Sequence, residues 1–232
     1  MKHIFFDFDG TLADSSEGIY IAYADACQEA GIVTPDFDQF CAYIGPPVQA
    51  IAKKLVPDIG AEQLELLRSR FRVEYDNKHH AMVRWYDGVI KGLHWLASQP
   101  DVQLNIVTNK PTRPTVNIIR LAGIESLFSH IIGIDYPGKN TIDSTFASKS
   151  EAIDFALSLT RCPRERAAYV GDTPSDRQAS QQQEIRFVAA TYGFHQWQPS
   201  ELEGMIAASS FADVITALEI GAGLPPHSAK AT

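Results

Sequence analysis

Cysteine is scarce: Cys27, Cys41 and Cys162 are the only three in 232 residues, and no two form a Cys-x-x-Cys pair. That excludes a disulfide framework and the usual zinc-site spacings, and leaves three reduced, mostly buried thiols as the expectation. Long apolar runs are also missing, since none reaches the ~20 residues that a helical bilayer crossing needs. The opening stretch reaches an acid at Asp7, too early for a secretory leader. Positive charge is in deficit, with 20 basic residues against 28 acidic ones and a net charge of −8. Nonspecific nucleic-acid binding depends on Lys and Arg neutralising phosphates, so nucleic acid is not an expected partner. A small anionic substrate stays open, because a bound cation can reverse the local field. There is no internal repeat and no low-complexity segment. A cytoplasmic protein without a membrane or nucleic-acid partner is expected; its oligomeric state, monomer or homodimer, is not legible.

Five short apolar runs read as strands: Ile4 to Phe8, Leu104 to Thr108, His130 to Ile134, Ala167 to Val170 and Arg186 to Ala190. Most are apolar on successive residues, the pattern of parallel strands buried on both faces. Helix-like stretches over Pro114 to Ala122, Lys149 to Leu159 and Ser175 to Gln183 lie between the last four. Alternating strands and helices predict a doubly wound α/β sheet.

Nearly a hundred residues separate the first two strands, far beyond an ordinary crossover. They read as helices: Glu17 to Ala30, Asp38 to Tyr43, Val48 to Leu55, and Ala61 to Lys78 with Leu64, Leu67, Phe71 and Tyr75 at helical spacing. The expected organisation is an α/β core over 1–15 and 84–232 with an inserted all-helical cap over 16–83. Val89 to Ser98 is the helix that precedes the second strand, and the chain from Gly221 reads as a tail.

Asp7-Phe8-Asp9-Gly10-Thr11-Leu12 follows the first apolar run. Two-residue spacing at a strand end aims both carboxylates the same way, and Gly10 lets the backbone turn close to a ligand. Acids there need a partner, and a hard cation with oxygen ligands such as Mg²⁺ is a natural one. Gly171-Asp172-Thr173-Pro174-Ser175-Asp176 adds two carboxylates after the fourth strand. Asp176 falls in a first helical turn, where an acid is favoured, so capping and metal binding are both open readings. Thr108 and Asn109 end the second strand in Ile106-Val107-Thr108-Asn109-Lys110, with a hydroxyl and an amide that can cradle phosphate. Lys149 and Lys139 compete as the phosphate-binding lysine.

Together these segments resemble the haloacid dehalogenase-like hydrolase superfamily, in particular its phosphoglycolate-phosphatase-like branch, which carries a helical cap after the first strand. The resemblance covers nearly the whole chain. It implies a Rossmann-like core in which the second and fourth strands flank the first, bringing their ends together at a switch point. It further implies Asp7 as nucleophile, Asp9 as general acid and base, and Thr108 with the motif lysine as holders of the phosphoryl group. The metal would be Mg²⁺, held by Asp7, Asp172 and the Asp9 backbone carbonyl and supported by Asp176. Gly10, Asn109 and the cap loop at Gly45 are further candidates for facing the substrate. Many members of the branch have Lys-Pro as the third motif; neither Lys139 nor Lys149 is followed by proline here. Lys149 is preferred because it opens the helix leading to the fourth strand.

The expected activity is hydrolysis of a small phosphorylated metabolite, phosphoglycolate first, through an aspartyl phosphate. The alternatives are a sugar-phosphate mutase of the same fold and a binding protein without activity. A phosphonate-cleaving enzyme would need a cap lysine such as Lys53 or Lys54. A carbon–halogen hydrolase is disfavoured, because it has no use for Mg²⁺ or Asp9. On the cap, Arg68, Arg70 and Arg72 are expected mostly on solvated faces. Phe71 and Tyr75 are expected in the cap core, and His79 and His80 at the surface.

Overall fold

A computed structural model describes residues 1–137 and 145–218. The first strand, β1 (Lys2–Phe6), shows why the core is two-sided. Ile4 and Phe6 enter one apolar cluster and Phe5 the other, and all three are buried. A strand apolar on successive positions needs cover on both faces, and the helices provide it. The chain then forms β2 (Ala13–Asp14) and enters a helical insertion made of α1 (Ser16–Glu29), α2 (Phe37–Cys41), α3 (Val48–Leu55) and α4 (Ala61–Glu74). A single π-helical turn, Tyr75–His79, extends α4.

The return strand β3 (Arg84–Trp85) pairs antiparallel with β2. This two-stranded ribbon joins the points where the chain leaves and re-enters the core, and Arg84 holds Asp14 at 2.7 Å across it. The core continues through α5 (Val89–Ala97), β4 (Val102–Val107), α6 (Thr112–Leu121), β5 (Phe128–Ile132), α7 (Lys149–Thr160), β6 (Ala167–Gly171), α8 (Pro174–Gln182), β7 (Arg186–Ala190), α9 (Pro199–Leu202), β8 (Ile206–Ala208) and α10 (Phe211–Ala217). The main sheet has the order β5-β4-β1-β6-β7-β8, and all its neighbours are parallel. β1 therefore lies between β4 and β6, as the family resemblance implied.

The cap has its own core, in which Tyr23, Phe40, Ile51 and Leu67 are buried, and Phe194 of the main domain packs against it. Two features went unread in the sequence. The ribbon β2–β3 has only two residues per strand, too few for a periodic signal. The same holds for β8, whose Ile-Ala-Ala run extends the sheet by a sixth strand. The competing Lys139 and the tail from Gly221 lie outside the described residues.

Candidate active site

β1 stops at Phe6, but its pairing runs one residue further, because the Asp7 backbone N–H donates to the Val170 carbonyl at 2.9 Å. Asp7 thus stands at the carboxyl edge of the central strand with its backbone fixed. Gly10, at φ +79, then turns the chain back. A Cβ at Gly10 would fall 2.2 Å from Asp172 Oδ2, so the first and fourth motifs touch here and only glycine fits.

Gly193, on the loop after β7, seals the other side. A Cβ there would lie 2.3 Å from the Gly10 carbonyl oxygen and 2.4 Å from Asp172 Cβ. Nothing in the sequence around Gly193 singles it out, because its neighbours come from distant segments. Gly193→Ala must displace backbone on one side or a fully buried carboxylate on the other. It is expected to cost about 2–3 kcal/mol of stability, read as a lowered urea midpoint with the slope unchanged.

Lys149 opens α7 and is buried to 6% exposure. Its ammonium donates to Asp7 Oδ2 at 2.6 Å and to Asp176 Oδ1. This is the lysine the sequence preferred. Burial alone would lower its pKa, but Asp176 and Asp7 outweigh burial and raise it, so the site holds a cation. Asp176 caps α8 with one oxygen and meets Lys149 with the other. Oδ2 accepts from the Thr173 backbone N–H at 3.0 Å and from its hydroxyl at 2.7 Å, closing a capping box at the start of α8. Oδ1 faces Lys149.

Asp172 has no exposed surface; its Oδ1 accepts from the Thr11 hydroxyl at 3.2 Å and its Oδ2 from the Phe194 N–H at 2.8 Å. Burial, then the neighbouring Asp176 and Asp7 charges, push its pKa well above the usual carboxylate range. Burial also raises that of Asp176, although Lys149 pulls it back.

Asp7, Asp172 and Asp176 each present a carboxylate oxygen, all within 4.8 Å of one another. Three buried carboxylates against the Lys149 ammonium leave negative charge uncompensated. A hard divalent cation with oxygen ligands fits that donor set. The Asp9 side chain stands apart from this cluster. Its Oδ1 accepts from the Ser15 hydroxyl at 2.5 Å, and Lys110 Nζ donates to its two oxygens at 2.8 and 3.2 Å.

Lys110, in the second motif, has no role that sequence reasoning alone assigns. A signal for its position was available: the alternation that aims Asp7 and Asp9 together also places Thr108 and Lys110 on one side of their chain. Thr108 is buried, its N–H donates to Ile132 O at 3.0 Å, and its hydroxyl accepts from the Lys110 N–H at 3.2 Å.

A cavity of about 640 Å³ opens over these groups between core and cap, and is lined by Asp7, Asp9, Thr108, Asn109, Lys149 and Gly45 among others. Asn109 Nδ2 donates to the Gly45 carbonyl at 3.2 Å, so this pair joins core to cap. Phe71 and Tyr75 belong to the cap core, as expected, and they also line the cavity. Arg68 and Arg72 are partly exposed and also line it, while Arg70 is exposed. Arg68 is paired with Glu65, and Arg72 reaches Asp76 at 3.4 Å and Asp135 at 3.5 Å. Lys53 and Lys54 are exposed and outside the cavity lining, a poor position for a Schiff-base lysine. His79 and His80 are half-buried rather than superficial.

The profile of the haloacid dehalogenase-like hydrolases matches residues 4–190. The chain belongs to this family. A phosphoglycolate phosphatase of Pseudomonas syringae is 31% identical over 208 residues, covering 85% of this chain and 72% of that protein. Among solved structures, a haloacid dehalogenase-like hydrolase from Streptococcus pneumoniae superposes with a TM-score of 0.79 at 26% identity, covering 93% of this chain and 98% of the other. Protein tyrosine kinase A of Mycobacterium tuberculosis gives 0.77 at 26% identity, covering 94% and 98%. The same architecture thus occurs in proteins named for different phosphoryl chemistries, and the reaction has to be argued from the site.

Proposed function

We propose that the protein is a cytoplasmic, Mg²⁺-dependent phosphatase acting on a small phosphate monoester of the phosphoglycolate kind, through an aspartyl phosphate on Asp7. The observation that carries this reading is the Asp7 carboxylate at the cavity floor, 2.6 Å from the buried Lys149 ammonium and flanked by Asp172 and Asp176. The membership of the family and the phosphatase relatives support hydrolysis of a phosphoric monoester. No helix among the described residues is long and apolar enough to cross a membrane.

Two anions must meet for the reaction to start. Lys149 and the Thr108 hydroxyl and neighbouring N–H groups offset the phosphoryl charge and fix its orientation. Asp7, Asp172 and the Asp9 backbone carbonyl, supported by Asp176, would hold Mg²⁺, which would supply the remaining positive charge. An Asp7 oxygen attacks phosphorus while the bond to the leaving oxygen breaks, and Asp9 gives that oxygen its proton. Water then attacks phospho-Asp7 and passes a proton to Asp9. The bond between the Asp7 oxygen and phosphorus breaks, inorganic phosphate leaves, the Asp7 carboxylate is regenerated and Asp9 is protonated again for the next cycle. The cap covers the cavity during these steps and limits access of bulk water.

Hydrolysis of p-nitrophenyl phosphate by the protein with Mg²⁺, with EDTA and with Mg²⁺ restored tests the reading. Turnover is expected to fall at least ~100-fold with EDTA and to return with Mg²⁺. Turnover indifferent to EDTA would overturn the metal role. A screen of phosphorylated metabolites then ranks phosphoglycolate against sugar phosphates, and rapid sugar-phosphate isomerisation with slow hydrolysis would move the assignment to a mutase.

A further inference from the structure

Lys110 is the second buried lysine of the cavity, and the mechanism above does not use it. Its side chain is 2% exposed, and its ammonium bonds both oxygens of Asp9 and the Tyr75 hydroxyl. The rings of Tyr75 and Phe8 lie 4.5 and 5.6 Å from it. With Ser15 at 2.5 Å on Oδ1, Asp9 is held at each oxygen. Lys110 and Asp9 come from the core, but Tyr75 comes from the cap. It opens the π-helical turn that ends α4 and stacks on Phe71 of that helix at 5.5 Å. π-helical turns are frequent at functional sites.

We infer that Lys110 is a positioning residue that holds Asp9 in place, that Tyr75 completes this hold from the cap, and that hydrolysis of phospho-Asp7 therefore depends on the cap being seated. The inference rests on the aspartyl-phosphate reading and adds to it a link between cap and core. A charge pair sealed from water attracts far more strongly than a solvated one. Tyr75 and Phe71 provide that seal, together with the other cap-to-core contacts, Asn109 with Gly45 and Arg72 with Asp135. When the cap lifts, Tyr75 leaves with it, water reaches the ammonium and the pair loosens.

The step that needs a well-placed Asp9 carboxylate is the second one, where it takes the proton of the attacking water. Formation of phospho-Asp7 from an acyl phosphate needs no such help, because acetate leaves without a proton. Lys110 and Tyr75 therefore act on breakdown of the intermediate more than on its formation from this donor.

The test is quenched-flow with acetyl phosphate and Mg²⁺, following covalent phosphate on the protein by intact mass, for wild type, Lys110→Met and Tyr75→Phe. General base assistance contributes roughly 10²- to 10⁴-fold. Breakdown is expected to slow ~100-fold in Lys110→Met and ~10-fold in Tyr75→Phe. Formation should slow at least tenfold less than breakdown, so that the phosphorylated protein accumulates. Lys110→Met leaves Asp9 without its cation and has the greater risk of misfolding; Tyr75→Phe removes one hydroxyl and carries the test by itself. Formation and breakdown slowing in step, or no accumulation in either variant, would overturn the positioning role. A wild type that never carries phosphate, even as a transient, would instead sink the aspartyl-phosphate reading, and this inference with it.

Discussion

Asp7→Asn is expected to abolish turnover, leaving less than about one part in 10⁴ of the wild-type rate. The amide has the shape of the carboxylate but no charge to place on phosphorus, so the covalent route closes at its first bond. The fold should survive. The Asp7 backbone N–H keeps its bond to Val170, and Lys149 keeps Asp176. Removing one of three crowded carboxylates relieves repulsion as well as weakening the Lys149 pair, so stability is expected to stay within ~1 kcal/mol. Paired assays of p-nitrophenyl phosphate hydrolysis and thermal unfolding check both halves. Residual turnover above about 1% that persists after repurification would mean that the nucleophile is another group or water.

Asp172→Asn should separate stability from activity. In the wild type this carboxylate is fully buried, and burial with the Asp176 and Asp7 charges raises its pKa well above the ordinary carboxylate range. A group whose pKa is raised on folding contributes stability below its unfolded pKa and loses it as pH rises through the folded value. At neutral pH the metal-free protein therefore bears the strain of an ionised or protonation-demanding carboxylate, which the amide lacks. The amide also fits the existing partners. Its oxygen can accept from the Phe194 N–H, and its NH₂ can donate to the Thr11 hydroxyl, which accepts as well as donates.

Metal-free Asp172→Asn is thus expected to be about 1–2 kcal/mol more stable than wild type at pH 7. That raises Tm by about 2–6 °C for a chain of this size, and the advantage should shrink as pH falls towards 4. Added Mg²⁺ should raise the Tm of the wild type and do little for the variant, whose turnover should fall ~100-fold or more. Thermal melts from pH 4 to 8, with and without Mg²⁺, give every comparison. A variant less stable than wild type at pH 7 would show that the buried carboxylate is compensated in the metal-free protein.

The sequence by itself determined the parts of this protein that rest on local pattern. Runs apolar on successive residues, such as Ile4-Phe5-Phe6, announced strands with cover on both faces. The helical spacing of Leu64, Leu67, Phe71 and Tyr75 announced α4, and the length of the gap announced an inserted cap. Asp7, Asp9, Asp172 and Asp176 stood out because acids directly after buried strands need partners. Tertiary structure decided the rest, because closeness between segments far apart in the chain has no periodic signature. The Gly10–Asp172–Gly193 contact joins three segments, and the residues around Gly193 do not show why it must be small. The division of Asp176 between capping Thr173 and facing Lys149 depends on where α7 meets α8. In the sequence Lys110 is a polar residue just past a strand, and Tyr75 is one more position at helical spacing. The pairing of β1 with β4 brings that ammonium to Asp9, and only the docking of cap on core adds that hydroxyl, where water is excluded and the contact has its strength.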